Sequence, residues 1–252
     1  MHLLEVKDVS MRFGGVEAIR KLDFTIDQGE IRGLIGPNGA GKTTLFNVIS
    51  GVCRPTTGTV LFRGKDITVF KPHTVTKLGI VRTFQAVTLF KNFTVLRNVL
   101  MGCHLYSKLS FWGALLNTRQ TVRSESSNEK KTMEILEFMG LLQYRDELAV
   151  NLPHGHQRAL GVSIALAAEP ELLMLDEPVT GMNTEETTEM MDLITKIRDK
   201  GITILLIEHD MKAVMGVCER ITVLDFGKKI AEGLPDEIKE NRDVVEAYLG
   251  SE

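Results

Sequence analysis

Hydrophobic and polar positions along the chain follow two periods, one typical of strands and one typical of helices. The first sixty residues contain short strand-like segments separated by turns: LLEVKDVSM, LDFTI, IRGLIG and GTVLFRG. In the second half, near-continuous apolar runs such as LLML and ITILLI alternate with helical segments. Such runs are typical of strands buried on both faces, so the pattern predicts a parallel sheet covered by helices.

The middle of the chain is more polar and more helical than its two ends. Helical spacing is found near 95–106 and 129–139, and the stretch between them has no clear period. We therefore expect a single domain with an inserted helical lobe over 86–156. The remaining residues, 1–85 and 157–252, should form the catalytic core.

Charge and cysteine content narrow the class of protein. The chain has 30 basic and 33 acidic residues and a formal net charge of -3, so we expect no nucleic-acid partner. Cys53, Cys103 and Cys218 show neither metal spacing nor a disulfide framework, which suits a reducing compartment. The N-terminus meets charges too early for a signal peptide, and no apolar run approaches the roughly 18 residues that cross a bilayer. We expect a cytoplasmic protein that reaches a membrane only through a partner.

The segment GPNGAGKT, residues 36–43, matches the phosphate-binding P-loop pattern between a strand and a helix. Its glycines allow successive backbone N–H groups to turn inward, and the helix N-terminus adds partial positive charge. Lys42 should reach the β- and γ-phosphates, and the Thr43 hydroxyl should hold Mg²⁺. The segment therefore predicts binding of a nucleoside triphosphate with Mg²⁺. The residues expected to bind it are Asn38, Gly39, Ala40, Gly41, Lys42, Thr43 and Thr44.

Two adjacent carboxylates end the apolar strand in LLMLDEP, residues 172–178. Asp176 is placed to bind the metal through water, and Glu177 to orient or polarise the attacking water. A solvated strand end is the more ordinary interpretation of such a pair, but the intact P-loop favours the catalytic one. Kinases, GTPases and many ATPases remain open at this point. No Asn-Lys-x-Asp segment that reads guanine follows, which argues against a GTPase.

The order of the remaining motifs resembles that of the ATP-binding subunits of ABC transporters. Gln85 in RTFQ, the signature-like segment LPHGHQ, LLMLDEP, and His209 in LLIEHD occur in the order of that family, over essentially the whole chain. The resemblance implies an α/β P-loop NTPase fold with a RecA-like parallel core sheet, an antiparallel β subdomain and an inserted α-helical subdomain. It also implies a homo- or heterodimer with a second ATP-binding subunit. Each ATP then lies between one subunit's P-loop and the other's signature segment.

The resemblance implies roles for individual residues. Phe13 would stack on adenine, with Val16 beside it, Gln85 would sense the metal and the lytic water, and His209 would hold the γ-phosphate. Each of these three has an ordinary alternative: core packing for Phe13, a strand-end cap for Gln85 and a satisfied helix-start histidine for His209. The implied catalytic set is Glu177, His209, Gln85 and Lys42, and the implied metal set is Thr43, Gln85 and Asp176.

The signature-like segment departs from the family pattern, which in most relatives reads Leu-Ser-Gly-Gly-Gln. Leu152 and Gly155 are kept, whereas Pro153, His154 and His156 replace Ser, Gly and Gln. Pro153 has neither a hydroxyl nor an N–H, so two possible donors to a phosphate are absent. Proline is nevertheless tolerated in the first turn of a helix, so the fold need not suffer.

Three interpretations of the two histidines remain open. They are ordinary surface residues beside a working Gly155, or one of them replaces the serine contact, or the segment is weakened and tolerated because the subunit pairs with a different one. A charged histidine would make turnover depend on pH near about 6 to 7. Asn183 in VTGMN, where many relatives carry Asp, loses a charge and retains hydrogen bonding. We expect Gly155, His154, His156 and Asn183 to contact the nucleotide of the opposite subunit.

Within the family, MRFGGVEAI, GPNGAGKTTLFNVISG, GIVRTFQ and LDEPVTGMN most resemble the ATP-binding subunit of branched-chain amino acid importers. This implies an ATPase on the inner face of the cell membrane, bound to two membrane-spanning permease subunits and indirectly to a periplasmic or extracellular solute-binding protein. Alternatives are a subunit for another solute, such as a urea-like amide or exported lipopolysaccharide, or a non-transport ABC ATPase. The last usually carries a long coiled-coil insertion or a duplicated cassette, and this chain has neither.

Overall fold

Strands and helices alternate along the computed structural model, which describes residues 2–83, 89–104 and 119–249. The strands of these ranges are β1 (His2–Phe13), β2 (Val16–Asp27), β3 (Ile31–Ile35), β4 (Thr57–Phe62), β5 (Lys65–Asp66), β6 (Ile80–Arg82), β7 (Leu172–Asp176), β8 (Thr203–Ile207), β9 (Arg220–Asp225) and β10 (Lys228–Gly233). The helices are α1 (Lys42–Ile49), α2 (Pro72–Lys77), α3 (Val95–His104), α4 (Arg119–Phe138), α5 (His154–Ala167), α6 (Thr184–Asp199), α7 (Met211–Val217), α8 (Pro235–Glu240) and α9 (Arg242–Leu249).

The strands form two sheets. A four-stranded antiparallel sheet has the order β2-β1-β4-β5, and a six-stranded sheet has the order β10-β9-β3-β8-β7-β6. In the second sheet β9, β3, β8, β7 and β6 run parallel, and β10 joins the edge antiparallel to β9. The predicted parallel core sheet and antiparallel subdomain are both confirmed. Because parallel strands end at one edge, the loops after β3, β7 and β8 converge there.

The six-stranded sheet separates two hydrophobic cores. Alternate side chains of a strand point to opposite faces, so Leu172 and Met174 of β7 enter one core and Leu173 and Leu175 the other. The first, called here the β-side core, contains buried residues of the antiparallel sheet and of α1. The second, the helical-side core, contains buried residues of α3, α5 and α6. Helix α1, which follows the GPNGAGKT loop, and helix α5, which begins at the signature-like segment, therefore pack on opposite faces of the six-stranded sheet.

Helix α4 is longer at its start than the sequence pattern indicates. It begins at Arg119, ten residues before the spacing at 129–139 becomes regular. Buried Thr132 and Leu136 anchor the later turns, whereas Lys130 and Glu134 form an exposed pair one turn apart. A helix segment rich in polar residues shows little hydrophobic period in its sequence. The boundaries of the lobe at 86 and 156 stay a prediction. None of the helices within the described ranges combines the length and the apolar character that a membrane span requires.

The three cysteines differ in burial: Cys53 is partly exposed, and Cys103 and Cys218 are buried. Cys218 lies under β3 and is 6% exposed, and burial raises the pKa of its thiol to about 12. At pH 8 only about one Cys218 thiol in ten thousand is then ionised, and the thiolate is the form that reacts. We expect iodoacetamide to modify the partly exposed Cys53 of the folded protein and to leave Cys218 intact, as measured by peptide mass mapping. Cys53→Ser is the control, and rapid labelling of Cys218 without denaturant would contradict the expectation.

Candidate active site

The GPNGAGKT loop joins β3 to α1 in a conformation that only glycine tolerates at two positions. Gly36 and Gly41 have φ values of 147° and 106°. A Cβ on Gly36 would collide with the carbonyl oxygen of Leu224, and one on Gly41 would lie 2.6 Å from that of Ala18. Gly39, in contrast, has no neighbour within 4 Å of such a Cβ, so one side of the loop is open. The result is an open cradle lined by backbone.

The start of α1 is free to bind an anion. Gly41 occupies the N-cap position, and no side chain of the described residues caps it. The first backbone N–H groups of a helix then lack partners, and the helix dipole places partial positive charge beside them. Asn38 and Thr43 are exposed and Thr44 is half-buried at this helix start, whereas Ala40 is buried and its carbonyl accepts the N–H of Gly227 at 3.0 Å.

Lys42 is folded back onto the loop that carries it. Its Nζ donates to the carbonyl oxygens of Gly36 at 2.6 Å and Pro37 at 3.0 Å. Burial lowers the pKa of Lys42, and the charges of Glu177 and Asp176 oppose that effect. The acceptors of the ammonium group are neutral carbonyl oxygens. A negatively charged phosphate oxygen would be a stronger acceptor and can replace them.

Asp176 ends β7 as predicted, but its carboxylate already has a partner that the sequence analysis missed. Nη2 of Arg82 donates to Oδ2 of Asp176 at 2.7 Å, and Nη1 donates to Oδ1 of Asn47 at 2.7 Å. The two charged side chains are 9% and 4% exposed. Arg82 thus links the end of β7 to α1, the helix that follows the P-loop. The signal in the sequence was a lone arginine at the end of the apolar strand GIVR.

Glu177 and His209 are brought into direct contact although they are 32 positions apart. Nε2 of His209 lies 2.5 Å from Oε1 of Glu177, and the hydroxyl of Thr180 donates to Oε2 at 3.3 Å. Glu177 has a φ of 51°, and its N–H donates to the carbonyl of Ile207 at 2.9 Å. Such a left-handed backbone costs about 1–3 kcal/mol in a residue other than glycine, and it aims this carboxylate along the sheet edge.

Phe13 and Val16 lie beside the two-glycine turn between β1 and β2, where they form a register pair. Phe13 is 49% exposed and Val16 is 68% exposed. Core packing therefore does not account for Phe13. An exposed ring can stack on a flat base, so the adenine role stays a prediction.

The signature-like segment forms the start of α5. Pro153, predicted in the first turn, is the N-cap with φ −54° and ψ 154°, and His154 starts the helix. The ring of Pro153 therefore interrupts no hydrogen bond of the helix. A Cβ on Gly155 would lie 2.9 Å from Oε1 of Glu186, and one on Gly181 would lie 3.1 Å from Cε1 of His154. The segment thus packs on VTGMN and the start of α6 in its own chain.

Two residues expected to face the opposite subunit have partners within this chain. The ring of His156 packs edge-on against Tyr144, with centroids 4.9 Å apart. Asn183 accepts the N–H of Glu186 at 2.9 Å, and Glu186 accepts the N–H of Asn183 at 3.0 Å, a capping box at the start of α6. His156 is half-buried and has a packing partner, and His154 is exposed; the expected contacts of both with the opposite subunit's nucleotide stay predictions. Gln85 lies outside the described residues.

Hard oxygen donors, the kind that Mg²⁺ prefers, are present at the predicted metal site. The hydroxyl of Thr43 is exposed at the start of α1, and the charge of Asp176 acts on neighbouring Lys42. A phosphate cradle after β3, an acidic end to β7 and a histidine after β8 define the class: a P-loop nucleoside triphosphatase. These groups share the edge where the parallel strands end.

Comparison with known proteins places the chain within this class. Residues 19–180 match the family model described as ABC transporter, and 228–252 match that of a branched-chain amino acid ATP-binding cassette transporter. The high-affinity branched-chain amino acid transport ATP-binding protein LivG of Escherichia coli is 43% identical over 98% of both chains. BraF of Pseudomonas aeruginosa, which bears the same description, is 39% identical over 98% of both.

A solved structure agrees with the sequence comparisons. It is the crystal structure of the ADP conformation of an ATP-binding cassette of an ABC transporter. The superposition covers 100% of both chains, with a TM-score of 0.88 and 32% sequence identity. The chain belongs to the ABC transporter family, in which it is the ATP-binding and ATP-hydrolysing type of subunit.

Proposed function

We propose that the chain powers import of branched-chain amino acids by hydrolysing ATP. The observation that carries the proposal is the contact of Glu177 with His209 at the sheet edge that also holds the P-loop. The substrate class rests on the relatives, which are named for branched-chain amino acid transport, and on the match of 228–252 to a model of the same description.

The arrangement supports hydrolysis by positioning and electrostatics. The phosphates of ATP lie in the P-loop cradle, and Lys42 leaves the carbonyls of Gly36 and Pro37 to contact them. Glu177 accepts a hydrogen bond from the attacking water and takes its proton. Thr43, Asp176 and Gln85 would hold Mg²⁺, which would neutralise charge on the phosphates.

The hydrogen bond between Glu177 and His209 joins a largely buried side chain to a more exposed one. His209 is 45% exposed on its side chain, whereas Glu177 is 12% exposed, so the histidine is the more mobile partner. To hold the γ-phosphate, His209 must turn away from Glu177. The same movement frees Oε1 of Glu177 for the attacking water.

Further parts of the proposal concern partners and location. The chain forms a homo- or heterodimer in which Gly155, His154, His156 and Asn183 approach the ATP bound to the opposite subunit. Two permease subunits hold the dimer on the cytoplasmic face of the membrane, and a solute-binding protein delivers the amino acid. The family resemblance and the transport names of the relatives support this arrangement.

Transport in vesicles tests the proposal. The chain, purified with its permease partners and reconstituted, is expected to take up radiolabelled leucine, isoleucine or valine when ATP and the solute-binding protein are supplied. A complex with the Lys42→Ala chain is the control, because loss of the lysine removes a phosphate contact. ATP hydrolysis stimulated only by another solute, with no amino acid uptake, would overturn the assignment of substrate.

Restoring the serine of the signature segment is expected to speed hydrolysis. Pro153→Ser supplies a hydroxyl and an N–H at the start of α5, and a hydrogen bond to a charged group contributes about 1.5–3 kcal/mol, roughly tenfold or more in rate. In a heterodimer the gain should appear at the partner's site, because this segment completes that site. Phosphate release by the assembled transporter measures it.

Pro153→Ala separates the two donors, because it restores the N–H without the hydroxyl. Serine faster than alanine assigns the gain to the hydroxyl. Equal or slower rates in both variants would show that the proline does not limit turnover. A heterodimer whose turnover survives Glu177→Gln in this chain, and fails only with the equivalent change in its partner, would contradict hydrolysis at this chain's own P-loop.

A further inference from the structure

Glu208, the residue before His209, is a buried carboxylate to which the hydrolytic steps above assign no role. It follows β8 and is 3% exposed. In the described part of the chain no lysine or arginine forms an ion pair with it, unlike Asp176, which is paired with Arg82. A buried carboxylate without a cation is costly, so its hydrogen bonds deserve a physical account.

Both oxygens of Glu208 accept backbone N–H groups. Oε1 accepts the N–H of Val179 at 2.9 Å, and Oε2 accepts the N–H of His209 at 3.1 Å. The N–H of Asp210 also faces the carboxylate. One side chain therefore joins the backbone two residues after Glu177 to the backbone of His209 itself.

The electrostatic balance at Glu208 is unfavourable. Burial raises the pKa of Glu208, its backbone hydrogen bonds lower it, and the charge of Glu177 raises it further. An amide would avoid burying a charge at this position, whereas an apolar side chain would leave the N–H groups of Val179 and His209 without their acceptors. What the carboxylate alone supplies is two acceptor oxygens on one rigid plane, whereas a glutamine supplies one.

The two backbone segments joined by Glu208 carry the pair that performs hydrolysis. Glu177 and His209 touch at 2.5 Å, and the N–H of Glu177 is held by the carbonyl of Ile207. Shifts of about 1 Å in catalytic groups can cost about 10²-fold in rate. A tether between the segments therefore bears directly on catalysis.

We propose that Glu208 is a positioning residue of the hydrolytic site, which sets the separation of Glu177 and His209 by holding the backbones after β7 and β8 together. It acts through these residues and touches no substrate. This role rests on the proposed ATP hydrolysis. It also ties VTGMN, the segment on which the signature helix packs, to the histidine after β8.

Substitutions at Glu208 separate positioning from folding. Glu208→Gln keeps the shape and one acceptor, and we expect kcat to fall about 10- to 100-fold while KM for ATP stays within about twofold. The kcat of the Glu208→Ala variant should fall further, because alanine keeps neither acceptor oxygen. ATPase assays of the full transport complex give both constants, and thermal unfolding shows whether each variant folds. A change in the KM for ATP with kcat unchanged would overturn the proposal. A fall in activity that is fully explained by a smaller folded fraction would also overturn it.

A double substitution tests whether Glu208 acts through His209. If it does, Glu208→Gln should slow a His209→Ala enzyme by less than about threefold, because residues that act as one unit are not additive. Full additivity of the two losses would contradict the proposed role. Glu232→Gln is the matched control: it removes a partly buried carboxylate that binds Arg32 at 2.9 Å, and it should lower stability and leave kcat unchanged.

The results distinguish this proposal from the one on which it rests. If the wild-type complex does not hydrolyse ATP, the proposed function fails. If the wild-type complex is active and both Glu208 variants keep its kcat, only the positioning role fails.

Discussion

Replacing Glu177 with glutamine is expected to reduce ATP hydrolysis by about 10²- to 10⁴-fold, the usual contribution of a general base. The amide cannot take a proton from water. Binding of ATP should survive, because Glu177 lies outside the P-loop cradle and glutamine can still hydrogen bond to His209. Single-turnover phosphate release measures the rate, and a fluorescent ATP analogue measures binding.

A surface glutamate provides the control for this change. Glu240 at the end of α8 is exposed, so Glu240→Gln removes the same charge from the chain and should hydrolyse ATP at the wild-type rate. A Glu177→Gln chain with more than about a tenth of wild-type turnover would show that another group activates the water.

Replacing Arg82 with methionine is expected to destabilise the folded chain by about 3–5 kcal/mol, because it leaves the carboxylate of Asp176 buried without its cation. The link from β7 to Asn47 of α1 is lost as well. Denaturant unfolding of the isolated chain measures the free energy. The variant should also bind ATP more weakly, since Asp176 is no longer held in place.

Two further variants isolate the cause. Arg82→Met combined with Asp176→Asn removes both charges and should recover part of the lost stability. Arg63→Met breaks an exposed pair with Glu171 and should cost about 1 kcal/mol or less, as surface pairs do. A loss at Arg82 as small as the loss at Arg63 would mean that water reaches Asp176 in solution.

Much of the fold and of the candidate site could be predicted because their signals are local. The P-loop needs a fixed spacing of glycines and Lys42 between a strand and a helix, and β7 ends on its acidic pair. The loops after parallel strands meet at one edge, which brings His209 to Glu177. The order of motifs therefore indicates a shared sheet edge, whereas the direct contact of Glu177 and His209 at 2.5 Å is seen only in the structure.

Contacts between distant segments could not be predicted in the same way. Arg82 stands three residues beyond the glycine that precedes β6, and nothing near it in sequence names Asp176 as its partner. The register of β6 on β7, with Arg82 opposite Met174, is what places the pair together. Glu208 was hidden for another reason: its partners are backbone N–H groups, which every residue but proline possesses.

The start of helix α5 is a third feature that the sequence alone does not determine. The sequence places Pro153 in the first turn, and the structure places it one position earlier, as the N-cap. Proline fits either position, so its identity alone does not choose between them. The packing of His154 over Gly181 also depends on tertiary structure.

The six-stranded sheet, with one core on each face, separates substitutions that affect the packing of α1 from substitutions that affect the packing of α5. Leu172 and Met174 face the core behind the P-loop helix, and Leu173 and Leu175 face the core behind the signature helix. A substitution in the core behind the signature helix need not disturb the core behind α1 or the GPNGAGKT loop that precedes it.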